Sequence, residues 1–236
     1  MRYLFTLLSV LTVITVTASN QGGCGTVKPD NYQFNTSEQE RSMFYVPSPR
    51  AAVRNVPVTY HVVTKTNGTG GATLKTVFET HCMLNIGFED PQMYFYIYSI
   101  DTIKDDALWA MNNGAGQTDY ALGYGAFQNY NLPNIVNVYI TGQLPGLCGF
   151  ATFPNTATNG GGLFLNVSCC GEGGQTIPHE MGHYFNLDHT FNPTNPREYV
   201  SRTASWKNCT TKGDGFCDTP ADPSEDRATC PYTDNA

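Results

Sequence analysis

The chain has 236 residues, 40% of them hydrophobic, and a formal net charge of -7. That much apolar material builds one sizeable core or two small ones and excludes the low-hydrophobicity regime of disordered chains. The acidic balance repels phosphate backbones, which argues against nucleic acid as a partner.

The first stretch, MRYLFTLLSVLTVITVTASN, has a short basic start, an apolar run from Tyr3 to about Val16, and small residues at Ala18 and Ser19 where a signal peptidase can cut. Residues 1–19 therefore read as a removable secretory signal. The run is shorter than the ~20 apolar residues of a spanning helix and no other segment qualifies, so no membrane association is expected once it is removed. Eight cysteines, at 24, 82, 148, 169, 170, 209, 217 and 230, lie beyond it. In an oxidising compartment they imply a partial disulfide framework, whose connectivity spacing does not reveal. Sequons at Asn35, Asn67, Asn166 and Asn208 agree with export through a glycosylating pathway. A secreted, extracellular, disulfide-bonded glycoprotein is the expectation.

From Asn20 to about Asn55 the chain is polar and interrupted by QGGCGT, VKPDN and VPSPR, which reads as a loosely structured leader or pro-segment, residues 20–55. The domain proper, 56–236, opens with VPVTYHVVT, where Val58, Tyr60 and Val62 alternate as in a strand. After the turn TNGTGG, the segment TLKTVFETHCML predicts a helix behind a Thr73 cap. MYFYIYSI and IVNVYITG have the aromatic and β-branched content of strands. Between them, 105–131 is expected to be helical in part, weakened by Gly114, Gly116, Gly123 and Gly125. GFATFP and LFLNVS are two short strands that can pair as a ribbon, and GEGGQT leads into a helix carrying His179 and His183. The order predicts an α/β (α+β) mixed sheet with helices packed on it in one layer or two. The tail from Asn192 has little apolar periodicity, so disulfides or a bound ion must order it.

HEMGHYFNLDH, residues 179–189, carries the chemistry. Residues four apart on a helix lie about 40° from each other on adjacent turns, so His179 and His183 can point at one ion. Two imidazoles on a rigid strut suit a catalytic zinc, which takes three protein groups and leaves the last position to water, within reach of Glu180. His189 poses a geometric problem. A continued helix would rotate it about 240° from His183 and move it roughly 9 Å along the axis. The helix must therefore stop near 186, turn left-handed and run back under the ion. Asn186 suits that turn, because after glycine asparagine enters the left-handed region most readily, at a cost on the order of 1 kcal/mol. Asp188 and a more distant Glu198 are the alternative third ligands. His61 and His81, in a strand and on a helix with apolar neighbours, read as structural.

These residues resemble a known family. HEMGHYFNLDHTF is similar to the metzincin motif HExxHxxGxxH, with Asn186 in place of Gly. The following NCTTKGDGFCDTPADP resembles the C-terminal extension of the pappalysin family of secreted metzincins, and QLPGLCGFATFP and GGLFLNV resemble that family's edge strand and neighbouring ribbon. The resemblance covers most of residues 56–231. It implies a metzincin-like mixed twisted β-sheet over an active-site helix, endopeptidase activity on protein or peptide substrates, His179, His183 and His189 as zinc ligands, and Glu180 as general base. Metzincins also place a methionine turn after the third histidine, yet all six methionines here stand at or before Met181. The expectation is a chain truncated before that turn, with its C-terminal subdomain incomplete; the alternative is that the apolar floor under the metal is built otherwise.

Cys24, in QGGCGT, resembles the RCGT stretch in the leader of related pro-enzymes, where a thiolate fills the open zinc position and silences the zymogen; here Gly23 replaces Arg. The alternative is that Cys24 joins a disulfide. Setting it aside leaves seven cysteines, an odd number, for which a missing downstream partner would account. Asp214, Asp218 and Asp222 stand in a Gly- and Pro-containing loop and offer hard oxygen ligands for Ca²⁺, although a solvated acidic loop has the same pattern.

The mechanism implied is hydrolysis by metal-activated water with a Glu base. Two rivals remain at the level of sequence: a secreted binding glycoprotein or inactive metallopeptidase homologue, and a metal-dependent amidase or esterase. Substrate identity, side-chain preference and oligomeric state are not legible.

Overall fold

The computed structural model describes residues 23–26, 32, 52–154, 158–190, 199–201 and 208–219. The expected signal, Asn35, Glu198, Asp222 and Cys230 lie outside them. Among the described residues six strands form one mixed sheet: β1 (Gly23–Cys24), β2 (Arg54–Thr64), β3 (Met93–Lys104), β4 (Val136–Thr141), β5 (Leu147–Ala151) and β6 (Leu163–Asn166). Their order across the sheet is β1-β5-β6-β4-β2-β3. The pairs β3–β2, β2–β4 and β4–β6 are parallel, whereas β5 runs antiparallel to β6 with Phe150 opposite Phe164. GFATFP and LFLNVS thus form the expected ribbon.

Four helices connect and cover the strands: α1 (Leu74–Gly87), α2 (Asp106–Ala110), α3 (Tyr120–Tyr130) and α4 (Thr176–Tyr184). Thr73 caps α1 as expected, its side chain accepting from the Thr76 amide. The helical expectation for 105–131 resolves into two helices, each with an aspartate cap, Asp105 and Asp119. Between them Gly114 and Gly116 take φ values of 82° and 77°, conformations that no helix accommodates.

Alternation along the strands sends side chains to two separate cores. Val58, Tyr60, Val62, Val138, Ile140, Leu163 and Leu165 meet Val77 and Leu84 of α1 and Ile177 and Met181 of α4. On the opposite face Val63, Tyr139, Phe150 and Phe164 pack with Leu108 of α2 and with Ala126 and Phe127 of α3. The sheet therefore lies between two helical layers, and every residue of β4 is buried. Cys148–Cys169 ties β5 to the turn after β6, and Cys209–Cys217 closes a short loop in the tail. Among the described residues Cys24, Cys82 and Cys170 are free thiols, so Cys24 pairs with none of the described cysteines.

Residues 23–26 do not belong to a loose leader. Cys24 stands opposite Gly149 in a parallel pairing, and the Gly25 amide donates to the Gly149 carbonyl at 2.8 Å. A Cβ on Gly25 would come within 2.4 Å of Leu147 Cδ1 and 2.8 Å of the Tyr120 hydroxyl, so a larger residue here requires those side chains to shift. Residues 23–25 thus line the edge of β5.

Candidate metal centre

Helix α4 is held against the sheet through Ile177 and Met181, which are 1% and 0% exposed, and this leaves His179, Glu180 and His183 aimed past its edge. The helix ends at Tyr184. Asn186 takes φ 82°. Its amide donates to the His183 carbonyl at 2.9 Å, and the Leu187 amide reaches back to Gly182, also at 2.9 Å. These two bonds are the paired helix-ending pattern that a left-handed residue makes possible. The side chain of Asn186 bonds to a residue distant in sequence rather than locally. It accepts from the hydroxyl of Tyr32, a leader residue whose ring also lies 4.9 Å from that of Phe153.

The turn brings His189 back. Its ring centroid lies 5.4 Å from that of His179 and 4.5 Å from that of His183, and the latter two are 4.8 Å apart. Asp188 instead accepts from the His189 amide at 2.8 Å. Nδ1 of His183 lies 2.7 Å from the Leu187 carbonyl, which can only accept, so Nδ1 carries the proton and Nε2 keeps a free lone pair. Burial pushes the His183 imidazole down to about 4, which holds it neutral and ready to ligate. One ligand atom from each of Cys24, His179, His183 and His189 lies within 4.8 Å of the others, a donor set suited to a soft or borderline divalent metal.

Glu180 is 1% exposed, and burial pushes its carboxyl up to about 7. Two leader groups contact it: the Thr26 hydroxyl donates to Oε2 at 2.8 Å, and the Cys24 thiol lies 3.7 Å away. The same Thr26 oxygen accepts from the Ala151 amide at 2.6 Å. Cys24 Sγ is 3.5 Å from His183 Nε2, and burial, with the Glu180 charge second, pushes its thiol up to about 12. Sequence reasoning missed Thr26 and Tyr32. Thr26 was within reach, as the fourth residue of GCGT; Tyr32 left no local signal.

The peptidase family M43, described as pregnancy-associated plasma protein-A, matches residues 126–234. Two extracellular metalloproteases of Colletotrichum graminicola are 26% and 29% identical to the chain, covering 95% and 98% of it and 81% and 84% of their own lengths. One from Podospora anserina is 28% identical over 86% of this chain and 72% of its own. These matches support assignment of the chain to the M43 (pappalysin) family of metalloendopeptidases. Metalloproteinase-II from Bacteroides fragilis superposes with a TM-score of 0.38 at 14% identity, covering 61% of this chain and 46% of that one.

His61 and His81 stand apart from the candidate metal-binding group. His61 is 1% exposed, lies within 3.0 Å of Asp101 and Asn137 oxygens and stacks on Tyr139. Nδ1 of His81 is 3.1 Å from the Tyr60 hydroxyl, and its Nε2 is 3.1 Å from the Phe95 carbonyl. In the tail, Asp214 accepts from the Phe216 amide at 2.9 Å, and burial raises its carboxyl, with Asp218 and Asp188 among the charges acting on it. Asp218 is exposed.

Gly149 sets how closely α4 approaches β5. A Cβ there would lie 2.9 Å from both Glu180 Cγ and Thr176 Cγ2 and 3.0 Å from the Phe164 carbonyl. Gly149→Ala is expected to cost about 1–3 kcal/mol of stability and to displace Glu180, lowering both melting temperature and activity. An unchanged melting temperature would show that the helix can shift freely.

Proposed function

We propose that this pappalysin is a secreted zinc-dependent endopeptidase, with a signal at residues 1–19, a leader at 20–55 and a catalytic domain at 56–236. The observation that carries the reading is the convergence of His179, His183 and His189 beside the buried carboxylate of Glu180. The extracellular names of the fungal relatives support export. Among the described residues, no helix is long and apolar enough to cross a membrane.

Zinc bound by the three imidazoles would polarise a scissile carbonyl and lower the pKa of an attacking water. Glu180 takes the proton from that water and passes it to the leaving amine. Once the leader has left, the edge of β5 that β1 now occupies receives the substrate strand. Until the leader leaves, the enzyme would be latent: Cys24 would join the three histidines in holding the metal, and Thr26 occupies Glu180.

Zinc stoichiometry by elemental analysis, with cleavage of a denatured protein in the presence and absence of chelator, tests the reading. One zinc per chain and chelator-sensitive cleavage are expected. Zinc without cleavage after the leader is removed would favour an inactive homologue. For the third ligand, His189→Ala should lose the metal while Asp188→Ala keeps it; metal loss in the Asp188 variant alone would reverse the assignment.

A further inference from the structure

We propose that Asn67 is the N-glycosylated residue of the folded domain, and that Asn166 and Asn208, which also stand in sequons, are bare. The proposal rests on the extracellular reading, since the modification requires passage through a glycosylating compartment.

The three asparagines differ in what their side-chain amides do. Asn166, at the end of β6, donates from Nδ2 to the Leu147 carbonyl at 3.3 Å, while its Oδ1 caps the following turn through the Ser168 amide and hydroxyl. Asn208 donates from Nδ2 to the Tyr199 carbonyl at 3.0 Å and accepts from the Ser201 amide at 2.6 Å, so its side chain ties 199–201 to the disulfide loop. Both are half-buried. A sugar on either Nδ2 would have to leave through the segment that the nitrogen holds, and those contacts would be lost.

Asn67 is exposed at the tip of the turn between β2 and α1. Only its oxygen is engaged, accepting from the Thr69 amide at 3.0 Å and the Thr69 hydroxyl at 2.8 Å, so Nδ2 is left to solvent. The turn is firm. Gly68 at φ 81° donates to the Lys65 carbonyl at 2.8 Å, and Thr66 donates to Asp106 from both its amide and its hydroxyl. The space around it is open, for a Cβ on Gly68 would meet nothing within 4 Å. The tip therefore carries a bulky polar substituent without disturbing the fold. The co-reactant is a lipid-linked oligosaccharyl pyrophosphate. Its C1–O bond breaks, C1 bonds to Asn67 Nδ2, and the displaced amide proton goes to base as the lipid pyrophosphate departs.

The full chain, expressed in a yeast secretory host and recovered from the medium, is treated with peptide N-glycosidase in heavy-oxygen water, which turns each glycosylated Asn into labelled Asp. Mass spectrometry is expected to find label at 67 and none at 166 or 208. Asn67→Gln, and Thr69→Ala, which spares the asparagine, should both lose the label at that site with the melting temperature of the deglycosylated protein unchanged. An exported chain that is bare at Asn67, or labelled at Asn166 or Asn208, overturns the assignment and leaves the extracellular reading intact. A chain confined to the cytosol overturns both.

Discussion

Glu180→Gln, made in the leader-free enzyme, is expected to lower turnover by about 10² to 10⁴-fold, the range of a general base, while the metal content stays at the wild-type value. The reason lies in the placement of the carboxylate. Glu180 is buried against β5, where Gly149 admits its methylenes, and burial already pushes its carboxyl up to about 7, suited to exchanging a proton near neutral pH. Glutamine keeps the shape and hydrogen-bonding oxygen but cannot take the proton. Single-turnover kinetics with parallel metal analysis checks this, and wild-type turnover in the variant would remove Glu180 from its role.

The second large effect concerns latency. In the uncleaved chain, Cys24→Ala and Thr26→Val should each raise activity, and the double variant should raise it more than either. A hydrogen bond to a charged group is worth about 1.5–3 kcal/mol, so losing the Thr26–Glu180 bond shifts the balance between docked and released leader by about tenfold or more. Thr26→Val removes the hydroxyl and keeps the branched shape that sits beside Ala151. Activity is read on a quenched peptide before any leader cleavage, with the intact mass verified. If both single variants are as silent as the parent chain, the leader is not the inhibitor.

These two predictions differ in where their grounds lie along the chain. The strands were readable because alternation of Val58, Tyr60 and Val62 is a local pattern, and the cap at Thr73 is a contact over three residues. The arrest of α4 was readable for the same reason: the distance from His183 to His189 contradicts helical geometry, and Asn186 stands where a left-handed residue resolves it. Sequence counting left Asp188 and His189 both open as third ligand. The turn favours the proposed His189, because it returns that ring to within 4.5 Å of that of His183 while the Asp188 carboxylate accepts from the His189 amide.

The sequence by itself determined the strand and helix succession, the spacing of His179, Glu180 and His183, and the place where the helix has to break. All of these rest on backbone periods of two and 3.6 residues, which act over one or two turns of chain. Only the tertiary structure decided the strand order, the division into two cores, the pairing of Cys148 with Cys169, and the arrival of Cys24, Thr26 and Tyr32 at a site more than 150 residues away. Such contacts depend on which surfaces meet when the sheet closes, and no short stretch of chain encodes that. The leader shows the difference most clearly: QGGCGT reads locally as a turn-rich linker, and becomes a strand only because β5 offers it an open edge.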